Sequence, residues 1–161
     1  MEILGEEAEE TLWRKISEIY GFKNYNYKKI KPKNLIYITK PINGNLMLFS
    51  YNKDDEVSKL YIESGEKLKK AFERCFTNGI YILNWQHECY EVDSYKSFPI
   101  KDEDGAWNPN FLPEGDTVFF LSKDLLSGWI ADFNNSSIIL VGEKFIETIK
   151  DLDFKFLSFD R

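Results

Sequence analysis

The stretch that most restricts the fold is 80–83, where Ile80, Tyr81, Ile82 and Leu83 follow one another without a charged or small polar residue. A short strand that is apolar on both faces has to be covered on both sides of its sheet. From Asn84 onward the sequence turns polar, and we predict that residues 79–92 form one strand in the middle of the sheet. The other elements of the chain are therefore organised around this strand.

Apolar periodicity predicts the remaining elements. Helical spacing of apolar residues predicts helices over 6–20, 54–77 and 143–150, the first of which ends at Gly21. Short apolar runs predict strands at 34–40, 45–51, 117–122, 127–133 and 136–141, and an edge strand at 153–159. Asn43-Gly44 predicts a hairpin between the first two of these strands. We predict one α+β domain over 1–161, with a mainly antiparallel sheet of about six strands and two longer helices and one short helix packed on it.

Between the strand at 79–92 and the next strand lies a long segment, 94–115, that is rich in proline, glycine and aspartate. Such clusters interrupt regular elements, so we predict irregular structure here. A loop of this length is typical of a functional or a closely packed segment. Ser64 and Gly65 interrupt the apolar stripe of the second helix, which predicts that this helix lies close to another backbone there.

The charge balance restricts the class of partner. The formal net charge is −6 and the sequence pI is about 5.0, which excludes nucleic acid as the main partner because phosphate binding requires a basic surface. We interpret the lysine- and tyrosine-rich segment 23–33 as a solvated loop. Negative charge favours a basic protein partner, and ordinary solubility charge is the alternative.

The expected compartment follows from the cysteines and the N-terminal residues. The two cysteines do not form a disulfide framework, and the acidic start MEILGEEAEE does not resemble a secretion signal. No apolar run approaches the ~18 residues that a membrane span requires. We therefore expect a cytoplasmic protein that does not bind membranes.

The only histidine, His87, and Cys89 are the first candidates for chemistry, since we expect both on one face of a strand. A zinc site needs about four ligands, and no second cluster supplies them. A Cys–His nucleophile needs direct contact, whereas residues i and i+2 of a strand are ~6–7 Å apart. We expect no metal, no cofactor and no catalytic residue. Instead, Trp85, Gln86 and His87 are predicted to connect the strand to the long loop by hydrogen bonds.

Two carboxylates, Asp116 and Asp124, bracket the strand predicted at 117–122. Paired carboxylates carry out acid–base chemistry when their pKa values are held apart. The sequence Pro113-Glu114-Gly115-Asp116, however, is typical of a turn with proline at its second position. We interpret this segment as a turn.

Three blocks of sequence, taken together, carry a resemblance. They are residues 84–90 (NWQHECY), the Pro113–Asp116 turn followed by Asp124, and Gly128 followed by the apolar run 138–142. In order and spacing they resemble the bacterial family known as domain of unknown function 2716, over about residues 10–150. The family motif has aspartate where this chain has Asn84, and His-Pro-Trp where this chain has residues 132–134 (DFN). A site with two family histidines is therefore absent from this sequence. The resemblance implies structural roles for Asn84, Trp85, Gln86, His87, Pro113, Gly115, Asp116, Asp124, Gly128 and Gly142.

Small acidic families of this type resemble immunity proteins encoded beside secreted bacterial toxins. The resemblance therefore implies a cytoplasmic, non-enzymatic binding protein that neutralises a cognate toxin, with a basic toxin domain as its partner. We expect the contact residues within 88–110, where acidic and aromatic residues concentrate: Glu88, Tyr90, Glu91, Asp93, Tyr95, Asp102, Glu103, Asp104 and Trp107. One alternative is a non-catalytic module that binds a small ligand or another protein, and another is a hydrolase that uses His87 with Asp116 or Asp124.

Overall fold

The structure, a computed structural model, describes residues 1–23, 27–42 and 55–159. The predicted strand at 45–51 and the Asn43-Gly44 turn lie outside these residues. Within them the helices are α1 (Glu6–Tyr20), α2 (Asp55–Cys75) and α3 (Glu143–Leu152). The strands are β1 (Glu2–Ile3), β2 (Tyr37–Pro41), β3 (Ile80–Asn84), β4 (Tyr90–Val92), β5 (Val118–Ser122), β6 (Gly128–Asp132) and β7 (Ser137–Val141).

The seven described strands form one sheet in the order β1-β4-β3-β5-β6-β7-β2. Every neighbouring pair is antiparallel. The predicted α+β class and the three helices are confirmed, although the strand count is seven rather than about six. The two-residue strand β1 is too short to leave a periodic signal, so the sequence did not predict it.

Alternating residues of the central strands feed two separate cores, one on each face of the sheet. Ile80 and Ile82 join Phe120 and Trp129 in a core that α2 and α3 cover. Leu83 joins a second core, which α1 covers through Leu12, Ile16 and Tyr20. The uninterrupted apolar stretch 80–83 is therefore buried on both faces, as predicted.

The longest described helix, α2, contributes most of the cover on the first face. Leu68, Ala71 and Phe72 are fully buried, and complete burial of a side chain such as Leu68 or Phe72 contributes about 1.5–3 kcal/mol each. The opposite side of α2 is charged and exposed. In the described part of the chain, no helix is both long and apolar enough to cross a membrane.

Two predicted strands are corrected by the structure. Residues 79–92 are not one strand, because the chain folds back after Asn84 and β4 pairs antiparallel with β3, placing Ile80 opposite Val92. The tail 153–159 is not a strand either. Asp153 has a positive φ of 54°, and the following turn directs Phe154 and Leu157 into the first core instead.

Candidate functional site

The turn between β3 and β4 and the end of the long loop meet at Asp116. Its Oδ2 accepts a hydrogen bond from the Gln86 N–H at 2.8 Å, and its Oδ1 accepts one from the Thr117 N–H at 2.7 Å. Asp116 thereby joins two sequence blocks that are 30 residues apart. The predicted hydrogen-bonded connection between strand and loop is present, and the backbone of Gln86 makes it.

His87 and Cys89 do not share a strand face as predicted, because both lie in this turn. The His87 side chain is 67% exposed, with Nδ1 3.8 Å from Asp116 Oδ2, which is longer than a hydrogen bond. Cys89 is fully buried in the second core. Burial raises the pKa of the Cys89 thiol to about 12, so the thiolate that a nucleophile requires is not formed near neutral pH.

The acidic run lies at the tip of a narrow excursion of the long loop. The Asp102 N–H donates to the Ala106 carbonyl and the Asn108 N–H to the Ile100 carbonyl, both at 2.8 Å. Asp102 Oδ1 accepts from the N–H groups of Asp104 and Ala106, which orders the tip. Residues 102–104 are exposed, in agreement with an acidic surface.

The loop is anchored on α2 through Tyr61. The Tyr61 hydroxyl accepts a hydrogen bond from the Trp107 N–H at 2.8 Å and donates one to Asn110 Oδ1 at 2.9 Å. The Trp107 ring lies against α2, where a Cβ added to Gly65 would be 2.7 Å from its Nε1. The predicted close approach at Gly65 is therefore made by an indole and not by a backbone.

Trp107 is corrected as a contact residue. Only 5% of it is exposed, since its ring packs on Phe98 and Phe111 in the first core. An aromatic residue in an irregular loop carries no periodicity, and its burial is not visible in the sequence.

Beside this anchor lies a cleft of about 400 Å³ at the end of β3 and the start of β5. A smaller hollow of about 280 Å³ adjoins it, and both share His87, Asn84, Asn108 and Pro109. We call the larger space the acidic cleft. Its lining residues are Asn84, His87, Asp102, Ala106, Trp107, Asn108, Pro109, Asn110, Glu114, Gly115, Asp116 and Val118.

Carboxylates dominate the charge of this cleft. Asp102, Glu114 and Asp116 line it, Glu88 lines the adjoining hollow, and neither set of described lining residues includes lysine or arginine. Burial raises the pKa of both Glu114 and Asp116, and for Asp116 the hydrogen bonds from Gln86 and Thr117 partly offset this. Negative charge is therefore held in a partly desolvated place without a basic side chain beside it.

Asn84 supplies a further acceptor. Only 7% of Asn84 is exposed, and among the described residues its Oδ1 is buried without a hydrogen-bond partner. A buried polar atom left in this state costs about 1–3 kcal/mol. Asn84 thus adds a neutral acceptor to the carboxylates of the cleft.

The other predicted contact residues divide into two groups. Tyr90 is near the cleft, and its hydroxyl donates to Glu88 Oε2 at 3.0 Å. Glu91 and Asp93 lie at the far end of β5, where Lys123 Nζ contacts both carboxylates at 2.8 and 2.7 Å. Tyr95 is half-buried, and its hydroxyl donates to the Phe76 carbonyl. These last three residues do not border the cleft.

Asp124 is not brought to His87. Its Oδ1 accepts from the Ser122 hydroxyl and the Leu126 N–H, which closes the turn after β5. Asp116 precedes β5, and the strand alone spans ~13 Å at ~3.3 Å per residue. Of the predicted carboxylate partners for His87, only Asp116 is close to it.

The remaining motif residues have structural positions. Pro113 is buried and Gly115 is exposed at the cleft rim. Gly128 begins β6, and Gly142 joins β7 to α3. Trp85 packs edge-on against Trp13 with ring centroids 5.1 Å apart, in the second core.

Sequence reasoning missed the residues 108–110 (NPN) that form one wall of the cleft. Their signal is a short polar turn between the aromatic residues Trp107 and Phe111, which anchor it on both sides. Tyr61 belongs to the apolar stripe of α2, and its spacing gives no signal of the hydrogen bonds that it makes to the loop. In the described part of the chain, no three His, Cys, Asp or Glu side chains are grouped closely enough to hold a metal ion.

A family model described as "Protein of unknown function (DUF2716)" matches residues 3–146. The chain belongs to this family. The resemblance inferred from the three sequence blocks is thus confirmed, and in this DUF2716 member the first two blocks are the ones that meet at Asp116.

A curated relative, "Uncharacterized protein YxiI" of Bacillus subtilis (strain 168), is 36% identical to this DUF2716 chain over 70 residues. The matched part is 44% of this chain and 43% of the relative, so it spans less than half of either protein. No solved structure matches the chain significantly.

Proposed function

We propose that this DUF2716 member is a cytoplasmic immunity-type protein that neutralises a cognate bacterial toxin by direct contact, through the surface around the acidic cleft. The observation that carries the proposal is the group of carboxylates at the cleft and the loop tip, where no described lining residue is lysine or arginine. Complementary charge of this kind accelerates encounter with a basic partner and selects against acidic ones.

The anchoring of the loop supports the same proposal. Because Tyr61 binds the loop at Trp107 and Asn110, the exposed carboxylates at 102–104 are presented on an ordered segment. An ordered binding surface loses less conformational entropy on association than a flexible one. The net charge of −6 acts in the same direction at long range.

The test is co-expression in a bacterial host with the C-terminal domain of the secreted protein that a neighbouring gene is expected to encode. We expect wild-type protein to restore growth and the double variant Glu103→Lys/Asp104→Lys to restore it much less. The matched control is Glu10→Lys/Glu18→Lys, which makes the same charge change on exposed positions of α1, on the opposite face of the sheet.

Growth no better than with an empty vector contradicts the immunity function. Equal loss of protection in both double variants contradicts the proposed binding surface around the acidic cleft, because net charge alone would then explain the effect. Protection lost only with the loop variant supports both parts of the proposal.

A second candidate function is that of a hydrolase, and one observation favours it. The exposed His87 ring lies at the edge of the cleft, with Nδ1 3.8 Å from Asp116 Oδ2. A histidine within reach of a carboxylate is an arrangement that general acid–base catalysis uses. The test is a panel of ester and amide substrates with wild type and His87→Gln. Turnover that is lost in the variant would support the hydrolase, and absence of turnover in the wild type would contradict it.

A further inference from the structure

We propose that the acidic cleft binds the guanidinium group of an arginine side chain from the partner protein, with Asn84 Oδ1 and the Asp116 carboxylate as acceptors. This inference rests on the proposed function, because it names the group of a basic toxin that the cleft would receive. It concerns the recessed part of the surface around Asn84 and Asp116, which Asp102 of the loop tip also borders.

The first argument is the unpartnered oxygen. Asn84 is more than nine-tenths buried, lines both the cleft and the adjoining hollow, and has no hydrogen-bond partner for Oδ1 among the described residues. Buried polar groups in folded proteins are nearly always hydrogen-bonded, and an exception needs an explanation. A donor that enters the cleft would provide one.

The second argument is the orientation of Asp116. Hydrogen bonds from the Gln86 and Thr117 N–H groups hold its two oxygens, one each. A carboxylate has about four acceptor positions, so both oxygens can still accept from a ligand. Asn84 is opposite Val118 in the sheet, and Asp116 precedes Val118 by two residues, so both acceptors stand at the same end of the paired strands.

The third argument selects the kind of cation. Among the described residues, no three His, Cys, Asp or Glu side chains are grouped closely enough to hold a metal ion. A guanidinium group carries five N–H donors in a planar fork and can serve two separated acceptors, whereas an ammonium group is a compact point charge. Glu114 adds a second carboxylate to the lining of the cleft, and burial raises its pKa. A bound cation would stabilise the charged form of this carboxylate.

The fourth argument is the absence of internal competition. A lysine or arginine of the chain itself would occupy such a site, as Lys123 does between Glu91 and Asp93. The described residues that line the acidic cleft include only His87 as a group able to become cationic, and its ring is mostly in solvent. No described lysine or arginine that lines the cleft therefore competes with an external donor for these acceptors.

The experiment is an NMR titration of the ¹⁵N-labelled full chain with N-acetyl-arginine amide, which imitates an arginine within a protein. We expect saturable shifts of the Gln86 and Thr117 amide signals and of the Asn84 side-chain amide. N-acetyl-lysine amide is the matched control, and we expect it to bind at least about tenfold more weakly because it lacks the planar fork.

Variants locate the site. Asn84→Val removes the free acceptor and Glu114→Gln removes one charge, and we expect each to weaken binding of the capped arginine by about tenfold or more. Glu18→Gln, which removes one charge from α1 on the opposite face, should bind like wild type. Because Asn84 is buried, the dispersion of the NMR spectrum checks that Asn84→Val is folded, and Glu114→Gln tests the site independently.

Several outcomes would overturn the inference. They are the absence of saturable shifts at these amides, equal binding of the capped lysine, and wild-type binding in both Asn84→Val and Glu114→Gln. Tighter binding of free arginine than of the capped form would also overturn it, because the ligand would then be a metabolite. Rescue from the toxin without guanidinium binding removes only this inference, whereas guanidinium binding without rescue removes only the immunity function.

Discussion

The acidic residues at the two ends of β5 have different kinds of partner. At its far end, Lys123 contacts the carboxylates of Glu91 and Asp93, so both acidic residues have a basic partner within the molecule. At its start, Asp116 is held by backbone N–H groups and its nearest ionisable partner is an exposed histidine at 3.8 Å. One strand thus separates a region with internal charge pairing from one whose acceptors face a cleft.

Packing differs between the same two ends. At the far end Gly79 lies directly against the Val92 carbonyl, which leaves no room for a side chain. At the cleft end Gly115 has nothing within 4 Å of the position where a Cβ would be. A closed, charge-paired end is typical of a structural element, while an open end rich in acceptors is typical of a binding surface. The following variants test this distinction.

The largest effect is expected for Gly79→Ala. Its φ is +96° and the added Cβ would lie 1.8 Å from the Val92 oxygen, so strain and overlap act together. We expect a loss of at least about 3 kcal/mol in the free energy of unfolding, measured by urea denaturation. Gly115→Ala is the matched control, with φ +85° and open space, and should lose only about 1 kcal/mol. Equal losses would contradict the contrast in packing.

Next is Tyr61→Phe, which removes the anchor of the cleft wall. The buried Trp107 N–H would lose its acceptor, while Asn110 Oδ1 would keep only the hydrogen bond from the Leu112 N–H. We expect a loss of about 2 kcal/mol in the free energy of unfolding. Tyr90→Phe removes a hydroxyl bonded to the exposed Glu88, and should change stability by less than about 0.5 kcal/mol. If the two variants are equally stable, the hydrogen bonds of the Tyr61 hydroxyl do not stabilise the loop.

A smaller effect is expected for Lys123→Met, which keeps the apolar stem and removes the charge. Its partners are partly exposed, so we expect a loss of about 1 kcal/mol in the free energy of unfolding, which should diminish in 1 M salt. Lys29→Met, at an exposed position, is the control and should be neutral. A loss that does not respond to salt would show that packing, rather than charge pairing, holds this end together.

The smallest effect is a pH dependence at the cleft. Burial raises the pKa of Glu114 above its ordinary value of 4.5, so the folded state binds a proton more readily than the unfolded state. This group therefore opposes folding at neutral pH, and its unfavourable contribution disappears as the pH falls through the raised pKa toward 4.5.

We expect the stability of wild type relative to Glu114→Gln to increase when urea denaturation is repeated from pH 7 down to pH 4.5. A difference that decreases over this window would mean that Glu114 is stabilised in its charged form. The cleft would then resemble the far end of β5, where the carboxylates have an internal partner.

Regular elements were predictable because apolar side chains must repeat with the period of the helix or strand that buries them. The three helices and the strands β5, β6 and β7 follow from this rule. The turn after Asn84 could not be predicted in this way, because no glycine or proline marks it. The turn forms through the backbone, where the His87 N–H donates to the Asn84 carbonyl.

The candidate site was less predictable than the fold. The motif residues Asn84, His87 and Asp116 were identified, yet their shared cleft depends on the path of an irregular loop. That path is determined by single contacts such as Tyr61 with Trp107, which have no sequence period. Asn84 Oδ1 lacks a hydrogen-bond partner because of the residues that surround it in the fold. The sequence alone therefore could not predict this free acceptor.

The anchoring of the long loop on α2 has a consequence for how such a protein can change. Trp107 and Asn110 hold the base of the loop from within, while residues 102–104 at its tip take no part in either core. A substitution at Glu103 or Asp104 therefore removes no side chain from either core, whereas Asp102 also orders the tip through the N–H groups of Asp104 and Ala106. The charges that the tip presents to solvent can therefore be changed at Glu103 and Asp104 while the packing of both cores is kept.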